Sequence, residues 1–494
     1  GGGSSAAACL DFAMTAGAEQ QNDQPTYQQY RRRYWYAVVV IIINLSNAMS
    51  WISFAPISYH TNAYYDNDLA ALLFNVIFMV FSIPFGFVAV WMIDKFGLRG
   101  GVYFGGLLNL IGNILRFIPS FDFVPKEDRF AIAFTGQCIA AISQPFIMYL
   151  PTKLTGFWFP ENQRNIFNTL TSMSNPIGIA IMYSLAPQIV NKKHPDNFFT
   201  LNLITLIAAV IAAATGVTVL SSEPPTPVSG SKAVNHDTPS FWAGIKKACK
   251  SRNFLVLCLA LGGGVGLFNA LYNNLQPALC SKGYNETYNG LMGSALILSG
   301  LFGAAFAGII TDMRKHWTEY VMKIAFVVAT IGAASLTVAI NYEKVEWWIT
   351  LSICIFGFAG FALYPVGLET GVEITYPVAE ATSTGLIIMS GQIQGVIYVA
   401  VTAILNQKAT PHELGIQTCT DNLSEFGVIV GWKYSFIAWQ VFIVILGLIC
   451  IIFFRPKLRR MALDVGVTAD THLKADEEDV SVINIVSPPW KQVD

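Results

Sequence analysis

Seven residues set inside long apolar runs carry side chains suited to holding a small solute. Asn47 and Trp51 stand four apart, which places them on one face of a helix. Asn175 directly precedes Pro176; Phe268, Asn269 and Tyr272 lie close together, and Gln392 stands in a later run. All are aromatic or amide. An aromatic face attracts a cation, by about 2 kcal/mol or more once water is excluded. Amides donate and accept hydrogen bonds and so orient a polar group. Such a set suits a quaternary ammonium or an amphiphilic organic solute. Taken singly, an amide in an apolar helix more often bonds a neighbouring helix. Asn44, Asn75, Asn109, Asn113 and Gln394 are read in that second way.

Charge is missing from the middle of these runs. The six histidines, His60, His194, His236, His316, His412 and His472, fall in loops, tails or run ends, and no Asp or Glu sits mid-run. Buried charges in a membrane mark ion pathways and proton relays. Their scarcity points to facilitated diffusion rather than proton coupling. It also argues against a His-ligated metal or haem site at the midplane. Tyr, Cys or a loop His remain as haem ligands. No nucleophile–base pair or metal cluster is visible, so neither catalysis, nor a resident cofactor, nor a metal is expected. Arg116 lies near the end of its run and is expected to snorkel to the surface.

The elements that must position these residues are membrane helices. Of 494 residues, 53% are apolar and 12% charged, against about 25% charged in soluble domains. Mean hydropathy is +0.49. The net charge of −1 gives no basic excess for nucleic acid, so none is expected as a partner. The partners implied are the lipid bilayer and a small molecule, with the chain acting as a monomer. Runs near 20 apolar residues, enough to cross a bilayer, fall at 34–59, 69–93, 100–119, 130–150, 165–190 and 199–220. Six more fall at 253–279, 288–312, 318–341, 346–369, 382–405 and 433–454. The chain therefore divides into a polar tail (1–33), a six-helix bundle (34–220), a linker (221–252), a second bundle (253–454) and a C-terminal tail (455–494). The N-terminal tail reads as disordered, and the polar, acidic C-terminal tail as solvated. The eight cysteines include no CxxC pair, and spacing leaves open whether Cys280 and Cys419 bond.

Close to the spans, eighteen Lys and Arg fall on the N-terminal side of the membrane and eight opposite. The positive-inside rule puts both termini and the linker in the cytoplasm. Two glycosylation sequons, at Asn285 and Asn422, then face outward. The plasma membrane is the expected location, with an endomembrane or lysosomal one as the alternative.

The two bundles repeat one another. Asp94 in IDKFGLR and Asp312 in GIITDMRK stand 218 apart, and Pro160 and Pro377 stand 217 apart. The same offset relates Asn175 to Gln392 and Trp51 to Asn269. Parallel six-helix halves with a solute between them are the major facilitator architecture. The expectation is thus an all-α membrane protein of twelve transmembrane helices in two parallel six-helix halves. Asp94 with Arg99, and Asp312 with Arg314 and Glu373, are candidate latches at the cytoplasmic ends.

Several stretches resemble one family. They are NAMSWISF (47–54), DKFGLRGG (94–101), QPFIMYLPTKLTGFWFP (144–160), SMSNPIGIAI (172–181) and GLETGVEITYPVAEATSTGLIIMSGQIQG (367–395). They are similar to the feline leukaemia virus subgroup C receptor-related transporters, and GYNETYNGLMGSALILSG looks nearer the less-studied members. The resemblance implies transport of choline or ethanolamine, with haem cargo for some members and vitamin-like cargo in a lysosomal branch. By position, it implies that Trp51 faces an ammonium, Gln392 meets a hydroxyl end, and Phe268 is an aromatic wall. Two positions depart: Asn269 replaces a cage tyrosine, and Pro176 a glutamine. Tyr272, one turn on, can restore the ring. The alternatives are a haem transporter and, in another class, a non-transporting receptor or scaffold.

Overall fold

The computed structural model describes residues 28–226, 240–408 and 430–456. Residues 1–27, 227–239, 409–429 (with Cys419 and Asn422) and 457–494 lie outside the described residues. The first half comprises α1 (Arg32–Ile52), a short α2 (Ser58–Tyr64), α3 (Ala70–Phe117), α4 (Lys126–Met148), α5 (Leu150–Trp158), α6 (Glu161–Ser172), α7 (Ser174–Ile189) and α8 (Phe198–Gly216). After a surface helix, α9 (Phe241–Cys249), the second half comprises α10 (Arg252–Cys280), α11 (Glu286–Met313), α12 (Thr318–Ala339), α13 (Glu346–Thr375), α14 (Glu380–Leu405) and α15 (Lys433–Phe453).

Ten of these stretches are long and apolar enough to cross a membrane. One of them, α3, is two crossings folded at Gly97, where φ is +70°. An L side chain strains there, and a Cβ at Gly97 would also stand 2.5 Å from the Ser222 Cβ. Ser222 Oγ ties the bend by donating to the Phe96 carbonyl and accepting from the Arg99 amide. The fifth expected span, 165–190, is also present but broken into α6 and α7. With these two, the crossings among the described residues number twelve.

Prolines set the breaks. Pro56 has no N–H to give the Ile52 carbonyl, and α1 stops at Ile52. Pro176 likewise has none for Ser172, and α6 stops there. Pro151 has no N–H for the Ile147 carbonyl, which accepts instead from the Tyr149 amide and from Asn44 Nδ2, the latter at 3.3 Å. Asn44 thus bonds across helices, as does Asn109, which donates to Ser46 Oγ. Gln394 donates to Ser390 and the Cys258 carbonyl.

Arg116 does not snorkel. It is fully buried, because its guanidinium donates to the Ser50 carbonyl and to Ser53 Oγ, both at 2.7 Å. Cys280 is disulfide-bonded, with a partner outside the described residues. Asn285 is exposed and caps α11, its Oδ1 accepting from the Tyr288 amide at 2.7 Å.

Candidate functional site

A cavity with about 70 Å³ of free space lies between the halves. Trp51 comes to it from α1, Asn175 from the start of α7, and Phe268, Asn269 and Tyr272 from α10, with Gln392 from α14. Six of the seven solute-binding candidates therefore share one space. No charged side chain lines it.

Each wall has a physical reason for its shape. Trp51 Nε1 donates to the Asn75 carbonyl at 3.1 Å, which fixes the indole plane beside Phe78. Phe268 packs between Phe356 and Phe361, with ring centroids 4.7 Å away in each case. Asn269 Nδ2 donates to Gln392 Oε1 at 3.3 Å, joining α10 to α14 at the cavity wall. Asn175 Nδ2 and the Tyr272 hydroxyl are buried with no hydrogen-bond partner among the described residues. Buried polar groups rarely go unpaired. At a cavity wall, such groups are free to bond a solute.

Asn47 is the exception and a correction. Its Nδ2 faces Asn109 Oδ1, the Ala140 carbonyl and Ser143 Oγ at 2.8–3.2 Å. It is fully buried among α1, α3 and α4, and does not line the cavity. Asn47 and Trp51 share a broad helix face, but the cavity edge runs between them.

Sequence reasoning missed Gln144, Phe356, Phe361 and Tyr364, all in the cavity wall. Ser82 donates to Gln144 Oε1 at 2.9 Å. Gln144 has a signal, as the one amide opening the QPFIMYLP stretch. The three rings have none, since α13 is apolar on every side.

Contacts between the halves flank the cavity toward both faces of the membrane. On one face, Thr382 Oγ1 of α14 donates to Asp94 Oδ2 at 2.6 Å, while Lys153 Nζ stands 3.5 Å from Asp94 Oδ1. Asp94 does not pair with Arg99, which corrects the expected latch. The bend at Gly97 turns Arg99 outward, where it is exposed, stacks on Tyr103 and donates to the Leu220 carbonyl. Asp312 and Glu373 are half-buried on α11 and α13, and Arg314 is exposed over the Trp317 ring at 4.8 Å.

On the other face, His60 Nε2 of α2 and Glu286 Oε1 of α11 meet at 2.8 Å. Deeper in, Ser294 Oγ donates to the Ala180 carbonyl, and the Tyr183 hydroxyl donates to the Tyr272 carbonyl. The Tyr183 ring lies against Gly293.

Asp94→Asn removes the charge that Lys153 and Thr382 share. A charge-assisted hydrogen bond is worth about 1.5–3 kcal/mol, so opening on this face is expected to become about tenfold more frequent. The labelling rate of Met148→Cys, in the cavity wall, by an impermeant thiol reagent added on the Asp94 face measures it.

Residues 36–399 match the family described as the Major Facilitator Superfamily. The chain belongs to the major facilitator superfamily. A D-xylose–proton symporter structure superposes on this transporter with a TM-score of 0.63 at 14% identity, covering 86% of this chain and 98% of that one. The transporter is 35% identical to the Xenopus tropicalis solute carrier family 49 member A3, over 86% of this chain and 87% of the relative. It is 26% identical to the Rattus norvegicus choline/ethanolamine transporter FLVCR2, over 72% of this chain and 66% of that relative. These relatives place the transporter in the feline leukaemia virus subgroup C receptor-related family.

Proposed function

We propose that the protein is a facilitative, alternating-access transporter of a small organic cation of the choline or ethanolamine type. The observation that carries this reading is the cavity itself, lined by Trp51, Phe268, Tyr272 and four amides and by no charge. Rings and amide oxygens stabilise an ammonium group without a carboxylate. Lacking an acid or His in its wall, the cavity has no group to carry a proton with the cargo. The choline and ethanolamine cargo in the name of the 26% identical relative supports the same class.

The Asp94 face is assigned to the cytoplasm, with both termini, and the His60–Glu286 face to the outside. Asn285 would then carry a glycan, the protein would reside in the plasma membrane, and it would act as a monomer.

A thermal-shift comparison of choline, ethanolamine and haem on the purified chain tests the cargo. A ligand that binds the folded state raises its apparent stability. Choline or ethanolamine is expected to raise Tm in a dose-dependent way. A shift with haem alone would overturn the reading.

A further inference from the structure

Arg116 is fully buried at the end of the third crossing, yet none of its hydrogen-bond partners is a carboxylate. An arginine inside a membrane is expensive and is kept where it acts. All but one of its partners lie at one place in the chain. Nη1 donates to the Ser50 carbonyl at 2.7 Å, and Nη2 donates to Ser53 Oγ at 2.7 Å. The guanidinium carbon also lies 4.6 Å from the centre of the Phe54 ring. Asn202 Oδ1 of α8, at 3.4 Å, accepts from Nη2 on the far side.

Ser50 to Phe54 is where α1 breaks. The last carbonyls of a helix lack partners and form its negative end. Pro56 makes this worse by offering no N–H to Ile52. Arg116 brings a positive charge to this end and donates to one of its carbonyls, that of Ser50. Ser53 Oγ and Gln137 Nε2 also donate to the Ser50 carbonyl, at 3.2 and 3.3 Å. The break is thus a built joint.

Two functional residues flank the joint. Trp51 lies within it and lines the cavity. His60 lies on α2, directly beyond it, and meets Glu286 of the other half. Among the described residues, the second half has no such device. At the repeat offset of 218, Arg116 corresponds to Ala334, and α10 runs unbroken from Arg252 to Cys280.

We infer that Arg116 is a positioning residue, the pivot of a lever in which the Trp51 indole and the His60–Glu286 latch move as one unit. Cargo against Trp51 then bears on the latch through a rigid joint rather than a loose loop. The inference rests on the proposed cargo site, but its first test needs no cargo.

The test uses the purified full chain carrying His60→Cys and Glu286→Cys, and follows copper-catalysed disulfide formation between them. Ser53→Ala removes one Arg116 contact with little disturbance to folding, Arg116→Gln removes the charge, and Arg116→Lys keeps it. Ser53→Ala and Arg116→Gln are expected to slow the disulfide at least threefold without ligand, with Arg116→Lys in between. In cells that retain the native His60 and Glu286, both variants are expected to raise KM for choline about tenfold while Vmax per molecule at the surface changes little. Should Arg116→Gln fail to fold, Ser53→Ala still decides. An unchanged disulfide rate in these variants, with only a lower Tm, would make Arg116 a stabiliser and overturn the pivot. A slowed disulfide with no response to choline in any background would instead leave the pivot standing and sink the cargo reading.

Discussion

Trp51→Ala is expected to lower choline uptake about thirtyfold at subsaturating concentration, through KM, with the protein still folded and at the cell surface. The indole supplies a cation-attracting face in a cavity that contains no carboxylate to take over. A desolvated cation–π contact is worth about 2 kcal/mol, and each 1.4 kcal/mol is about tenfold in affinity. The substitution also frees the Asn75 carbonyl that Trp51 Nε1 now satisfies. Trp51→Phe separates the two effects. It retains a ring but not the N–H, and is expected to lose only part of the affinity. Uptake of labelled choline over a concentration series, normalised to surface protein, measures both. An intact KM in Trp51→Ala would remove the indole from the site.

Gly293→Val is expected to abolish transport while leaving cargo binding in place. The Tyr183 ring occupies the space where a side chain at Gly293 would sit, and the neighbouring Gly290 abuts the Tyr183 backbone. Tyr183 is on the first half and Gly293 on the second, so their contact forms only when this face closes. A Val there must push the halves apart, since an aromatic ring held by its hydroxyl at the Tyr272 carbonyl has no room to turn. Strain of this kind in packed interiors typically amounts to about 1–3 kcal/mol or more. The population should therefore shift strongly to the state open on the Glu286 face. Impermeant labelling of Ile179→Cys from that face should rise at least tenfold, with counterflow lost. Labelling at the original rate would show that the contact does not gate.

The architecture was readable from the sequence because hydrocarbon thickness imposes a run length, and twelve runs satisfied it. The repeat was readable because Asp94 and Asp312 mark equivalent turns. The cavity set was legible in part. Trp51, Asn175, Asn269 and Gln392 stood out as polar or aromatic residues at repeat-related places, and they do face one space. Helical periodicity assigns a face only broadly, however. Asn47 and Trp51 lie some 40° apart around a helix of 3.6 residues per turn. That is enough for one to meet α3 and α4 and the other the cavity. Arg116 reads as a snorkelling residue because, although Pro56 marks a break after α1, nothing in the sequence places that break beside Arg116. Asp94 was drawn toward Arg99 by proximity in the chain, whereas its partner Thr382 lies in the other half. Contacts between halves depend on how two rigid bundles meet, and no local pattern encodes that.

Counterflow in proteoliposomes tests the central claim most directly. Vesicles containing the purified chain are loaded with unlabelled choline and diluted into a trace of labelled choline, with equal pH on both sides. Labelled choline should accumulate transiently, survive a protonophore, and disappear in Trp51→Ala. Accumulation that requires an imposed pH gradient, or none under any condition, would contradict a facilitative carrier of a small organic cation.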